Sequence, residues 1–145
     1  MKIKVYVNQI RSAAAYIRKK APDFRPDVGF ILGSGLAKAV PPLENVRVIP
    51  YNDIPAFPRT TVPGHEGKLI LGRAAGKNVV VMQGRFHYYE GHAMEAIALP
   101  VRTLEYLGLK TLIVTAAVGS MRPNVKPGHS WYSKSTRRTL SIRPA

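Results

Sequence analysis

Val28-Gly29-Phe30-Ile31-Leu32 runs directly into Gly33-Ser34-Gly35, and that junction decides the architecture. A short apolar run closed at once by glycines reads as a buried strand delivering a tight turn. The same pattern recurs along the chain. Residues 77–83 are apolar on both faces and therefore interior, and Gly76 joins them to a partner strand over residues 68–75. Thr111-Leu112-Ile113-Val114-Thr115 reads as a further buried strand, running into Ala116-Ala117-Val118-Gly119-Ser120. Residues 46–51 supply another strand.

Between these strands the period changes. Ile10, Ala13, Ala14 and Ile17 stand at i, i+3, i+4 and i+7, which predicts an amphipathic helix over residues 6–20 that Pro22 stops. Met94, Ile97, Val101 and Leu104 predict a second helical stripe, ended at Gly108 and kinked or turned early at Pro100. A short helix is expected from Leu36. Pro55, Pro58, Pro63 and Gly64 make residues 54–67 a long loop. Strands alternating with helices give an α/β class, a mixed and largely buried β-sheet flanked by helices.

Composition bounds the function. The chain has 145 residues, 46% hydrophobic and 21% charged, enough for one compact core. With no Cys there is no disulfide framework or thiolate metal site, and with only four His no structural zinc is expected. No apolar run reaches the length of a membrane span, and Met1-Lys2-Ile3-Lys4 lacks the apolar core of a secretory signal, so a cytoplasmic location is expected. The net charge is +14, a field that attracts phosphate-bearing partners. Glu105 is the last acid, and Lys110, Arg122, Lys126, Lys134, Arg137, Arg138 and Arg143 follow it. Residues 129–145 have few aliphatics and no periodicity and are expected to form a disordered tail.

In open α/β sheets, ligands gather where strands end at their carboxyl side. Three segments fall there. Gly33-Ser34-Gly35 lets backbone approach a ligand, with the Ser34 hydroxyl available to an oxyanion; a tight turn with Ser34 capping a helix explains it equally well. Neither the dinucleotide fingerprint nor the P-loop pattern is present. Gly84-Arg85-Phe86-His87-Tyr88-Tyr89-Glu90-Gly91 is denser: a guanidinium fork, an imidazole, two phenols and a carboxylate follow an interior strand. Core packing needs no such mixture. Residues 116–120 offer small side chains and backbone N–H groups, suited to anion contact or to close packing. His65 is a single imidazole on the proline-rich loop, which by itself reads as solvated.

Read together, ILGSGL (31–36), FPRTTVPGHEGKL (57–69), VMQGRFHYYEGH (81–92) and LPVRTLEYLG (99–108) resemble, in order and spacing, the trimeric purine nucleoside phosphorylases. The resemblance covers most of residues 25–128 and implies the nucleoside phosphorylase type of fold, in its N-terminal part. It implies phosphorolysis of purine ribonucleosides to free base and ribose 1-phosphate, with inorganic phosphate as co-substrate and no cofactor or metal. It further implies phosphate binding by Ser34, His65, Arg85, His87 and Ala117, ribose contact by Tyr89, orientation of His87 by Glu90, and a homotrimer for the full-length enzyme.

The family's VTNAAGG segment is VTAAVGS here (114–120), and the family's purine-recognising Glu and Asn have no matching position. Resemblance stops at residues 125–128. The expected organisation is therefore an incomplete phosphorylase-like domain over residues 1–128 and a basic tail over 129–145, the latter from a shifted reading frame. An incomplete sheet exposes strand edges and apolar surface, which predicts poor cooperativity for the isolated chain and an inactive fragment as one outcome. A methylthioadenosine phosphorylase shares the phosphate site and is the alternative within the neighbourhood. A nucleic-acid-binding module, suggested by Trp131 and Tyr132 among Lys134, Arg137 and Arg138, is the alternative of another class and is disfavoured against a solvated tail.

Overall fold

A computed structural model describes residues 3–32, 40, 42–59, 67–115, 121, 123–124 and 126. Helix α1 (Ile3–Lys20) buries Ile10, Ala13, Ala14 and Ile17, the four positions of the predicted stripe. Arg18, Lys19 and Lys20 occupy its last turn, where cations meet the negative pole of the helix. It starts three residues earlier than the pattern required.

Five strands form one mixed sheet in the order β2-β3-β4-β1-β5. They are β1 (Val28–Ile31), β2 (Glu44–Pro50), β3 (Lys68–Ala74), β4 (Lys77–Gln83) and β5 (Thr111–Val114). β3 runs antiparallel to both β2 and β4, whereas β1 pairs in parallel with both β4 and β5. The carboxyl ends of β4, β1 and β5 therefore lie along one edge, the edge at which α/β sheets collect ligands.

Alternation along the strands sorts the core into two layers. Leu69, Leu71, Val80 and Met82 point toward α1 and α2 (Met94–Tyr106), packing with Ile10, Ile17, Leu99 and Leu104. Val79, Val81 and Leu32 form a smaller cluster on the opposite face with Phe30, Val40, Leu43 and Ile70. β4 is buried on both faces from Val79 to Met82, as an interior strand must be.

The β3–β4 connection is a two-residue turn in which Ala75 (φ 48°) and Gly76 (φ 73°) both take the left-handed region that such hairpins demand. Helix α2 ends as expected at Gly108. Its φ is 102°, and the Leu109 N–H donates to the Leu104 carbonyl (3.0 Å) while that of Gly108 donates to Glu105 (2.9 Å), closing the last turn in a Schellman arrangement.

Two expectations need correction. Among the described residues β5 is an edge strand, not a buried one: β1 is its single neighbour there, and Thr111, Ile113 and Val114 are exposed. The buried face of α2 is rotated from the predicted stripe. Leu99, Pro100, Thr103 and Leu104 are buried, while Met94 is 60% exposed. Thr103 escapes a polarity-based count because its hydroxyl donates to the Leu99 carbonyl one turn back (2.8 Å), so the side chain enters the core without an unpaired group. Pro100 lies inside α2, which runs on to Tyr106. The predicted short helix from Leu36, the tail over residues 129–145 and residues 60–66 of the proline-rich loop lie outside the described residues.

Candidate active site

β4 carries the densest motif to the ligand-collecting edge. After Gln83 the chain turns at Gly84 (φ 103°), a conformation that glycine alone adopts without strain. Phe86 then drives the geometry. Its ring is 7% exposed and packs against Tyr51, with centroids 5.2 Å apart, and edge-on to His92 at 6.1 Å. Burying Phe86 leaves its neighbours Arg85 and His87 both only partly buried.

Arg85 reaches across β1. Its Nη1 donates to the carbonyl of Thr115, just past β5, at 3.4 Å. Thr115 is in turn fixed to the last residue of β1, its N–H donating to the Ile31 carbonyl (3.0 Å) and its hydroxyl to the same oxygen (3.3 Å). The ends of β4, β1 and β5 are thus joined through one guanidinium and one threonine. The Nε–H of Arg85 is buried and has no hydrogen-bond partner among the described residues. A buried cationic donor left open costs free energy unless an anion completes it.

His87 heads the 3-10 turn Tyr88–Glu90 in a reciprocal capping arrangement. The Oε1 of Glu90 accepts from the His87 backbone N–H (2.9 Å) and lies 2.7 Å from His87 Nδ1. With Glu90 ionised, this places the proton of the neutral imidazole on Nδ1 and makes Nε2 the ring's acceptor atom. The Glu90 side chain is 3% exposed, and its Oε2 stands 3.9 Å from Nε2 of His92. The ring of Tyr89 stacks on that of His87, with centroids 4.7 Å apart and planes 18° apart, although the tyrosine as a whole is 76% exposed. It offers a flat apolar and phenolic surface beside the imidazole.

Among the predicted residues, the structure brings Glu90 and Tyr89 onto His87 and sets Arg85 at the meeting point of three strand ends. Ser34, His65 and Ala117 lie outside the described residues. Sequence reasoning missed two participants. Thr115 was read only as a strand residue, yet its carbonyl receives Arg85. Tyr51 was read only as a strand end, yet its hydroxyl donates to the Gly84 carbonyl at 3.0 Å. The available signal was a tyrosine in an apolar setting, since a buried phenol requires a partner. Burial pushes the Tyr51 phenol well above its ordinary value, so it stays a donor.

Among the described residues, no group of three or more His, Asp or Glu is placed to hold a metal ion, and no helix is long and apolar enough to cross a membrane.

A family model described as the phosphorylase superfamily matches residues 27–135. Purine nucleoside phosphorylase 1 of Geobacillus stearothermophilus is 47% identical over 119 residues, which is 82% of this chain and 43% of that protein. The mouse (Mus musculus) purine nucleoside phosphorylase is 44% identical over 106 residues, 73% of this chain and 37% of its own. The crystal structure of isoform 2 of the Schistosoma mansoni enzyme, in complex with cytosine and ribose-1-phosphate, superposes with a TM-score of 0.76 at 44% identity, covering 82% of this chain and 41% of that one. The chain spans less than half the length of these relatives.

Proposed function

The chain belongs to the phosphorylase superfamily, and we propose that it carries the phosphate-gripping part of a purine nucleoside phosphorylase. The reaction is cleavage of a purine ribonucleoside by inorganic phosphate to give free base and ribose 1-phosphate. The observation that carries this reading is Arg85: one nitrogen is seated on Thr115 where three strands end, and Nε is buried and open to an acceptor among the described residues. Such a fork suits a tetrahedral oxyanion.

N-glycosidic cleavage develops positive charge on the sugar. A phosphate dianion beside the anomeric carbon stabilises that charge, then forms the new carbon–oxygen bond as the carbon–nitrogen bond breaks, the electron pair leaving with the base, which takes up a proton. Arg85 holds the dianion, and His87, oriented by Glu90 through Nδ1, contacts it through Nε2. Tyr89, stacked on His87, takes the ribose. Ser34, His65 and the backbone of Ala117 complete the phosphate contacts in this reading. Support for them comes from their sequence motifs alone. Holding phosphate and nucleoside together supplies much of the rate.

Inorganic phosphate is the co-substrate in this proposal, without a cofactor, in a cytoplasmic enzyme that assembles as a homotrimer at full length. Residues 1–128 form the phosphorylase-like unit and 129–145 a basic tail outside the chemistry. Phosphate-dependent release of hypoxanthine from inosine tests the reading, with phosphate binding followed in parallel. Loss of both in Arg85→Ala and His87→Ala is expected. Equal phosphate binding in wild type and both variants would overturn the assignment.

A further inference from the structure

We propose that Tyr51 is a positioning residue that clamps the open end of the β3–β4 hairpin and thereby sets the direction in which Arg85 leaves the sheet. The inference rests on the reading of Arg85 as the phosphate-holding group, and it concerns a residue that does not itself touch the anion.

The β3–β4 ladder ends at the pair Lys68 and Gln83. One residue further out on each strand stands a glycine in the left-handed region, Gly67 (φ 56°) before β3 and Gly84 (φ 103°) after β4. Glycines in that region break the extended conformation, so the ladder no longer dictates where either chain goes. Tyr51 bridges both sides of this gap. Its backbone N–H donates to the Gly67 carbonyl at 2.7 Å, and its side-chain hydroxyl donates to the Gly84 carbonyl at 3.0 Å. A third bond, from the Ile54 N–H to the Tyr51 carbonyl at 3.0 Å, closes the 3-10 turn that holds the residue in place.

The anchor is rigid. Tyr51 is 1% exposed, with its ring edge-on to Phe57 at 5.7 Å and tilted against Phe86 at 5.2 Å. Its hydroxyl is therefore delivered from the main core. The Gly84 carbonyl and the Arg85 N–H belong to one planar peptide unit. Fixing the oxygen fixes that plane, and with it the starting vector of Arg85. A positive-φ glycine is the most permissive hinge a chain possesses, so the tether acts where freedom would otherwise be greatest. Tyr51 also packs on Phe86, the residue between Arg85 and His87, and so meets the motif at two points.

The test compares Tyr51→Phe, which removes one oxygen, with Leu104→Val, a core change on α2 that removes no hydrogen-bonding group. Amide hydrogen exchange and titration with inorganic phosphate are followed by NMR on the full 145-residue chain. In Tyr51→Phe, exchange at Arg85, Phe86, His87 and Tyr51 should accelerate roughly tenfold relative to the β1 amides, and the phosphate Kd should rise about three- to tenfold, the worth of one hydrogen bond. Leu104→Val should accelerate exchange without favouring that segment and leave the phosphate Kd unchanged. The same exchange pattern in both variants overturns the clamp. Should wild type bind no phosphate at all, the functional reading falls, while the exchange comparison still decides the clamp. If Tyr51→Phe does not fold, the wild-type Tyr51 hydroxyl proton decides it: a slowly exchanging resonance with a cross-peak to Gly84 is expected, and a rapidly exchanging hydroxyl overturns it.

Discussion

β4 and β5 are both short apolar runs, Val79-Val80-Val81-Met82 and Leu112-Ile113-Val114, and both end beside Arg85 or its partner Thr115. Their surroundings are opposite. β4 has neighbours on each side and is buried from Val79 to Met82, whereas β5, among the described residues, pairs with β1 alone and leaves Val114 60% exposed. Equal apolarity thus corresponds to a core element in one case and an open edge in the other. The site straddles the two, with its guanidinium on the well-supported side and its carbonyl anchor on the exposed one.

The largest test of this asymmetry removes the group that spans it. Arg85→Ala should weaken phosphate binding about 100-fold, the loss expected for a paired charge-assisted contact. Isothermal titration would show it, and a change below threefold would place the anion elsewhere. Next comes the same substitution on both strands. Val80→Ala should cost about 2 kcal/mol of stability and Val114→Ala less than about 0.5 kcal/mol, read from urea midpoints at constant slope. Similar losses would mean that β5 is covered in solution, by the rest of a larger assembly or by another chain.

Smaller effects sharpen the β4 side. Because burial raises the Tyr51 phenol above its unfolded value, the folded state keeps a proton that the unfolded chain releases. Stability is therefore unaffected below the ordinary tyrosine range near pH 10 and falls above it, by up to about 1.4 kcal/mol per pH unit. Tyr51→Phe should flatten that fall in a pH series of denaturation midpoints; an unchanged slope would show the phenol to be solvated. At the far end of the same hairpin, Ala75→Gly relieves a left-handed backbone at a non-glycine position. A gain of about 0.5 kcal/mol in thermal or urea denaturation is expected, since glycine also loses more chain entropy on folding.

What could be read from the sequence follows from which interactions are local. The stripe Ile10, Ala13, Ala14, Ile17 and the Gly108 stop of α2 are set by residues within a few turns, and both stand as read. The Arg85 to Glu90 cluster was visible because its residue types have no reason to be together in a core. Burial of β5 depends on how many strands flank it, which no periodicity encodes. The face of α2 was misjudged because Thr103 hides its hydroxyl on its own helix, and polarity scales count it as outward. Tyr51 escaped because its partners, Gly67 and Gly84, are 16 and 33 positions away and bond through backbone atoms that every residue shares.

The seating of Arg85 on Thr115 has one more outcome. A long flexible side chain normally surrenders up to about 2 kcal/mol of rotational freedom when a ligand immobilises it. Here the bond from Nη1 already holds one nitrogen on the Thr115 carbonyl in the folded chain, and Nε is left with no partner among the described residues. On the proposed reading, a tetrahedral ion meets a guanidinium already held at one nitrogen, so discrimination should favour ions with two oxygens at matching separation over spherical halides.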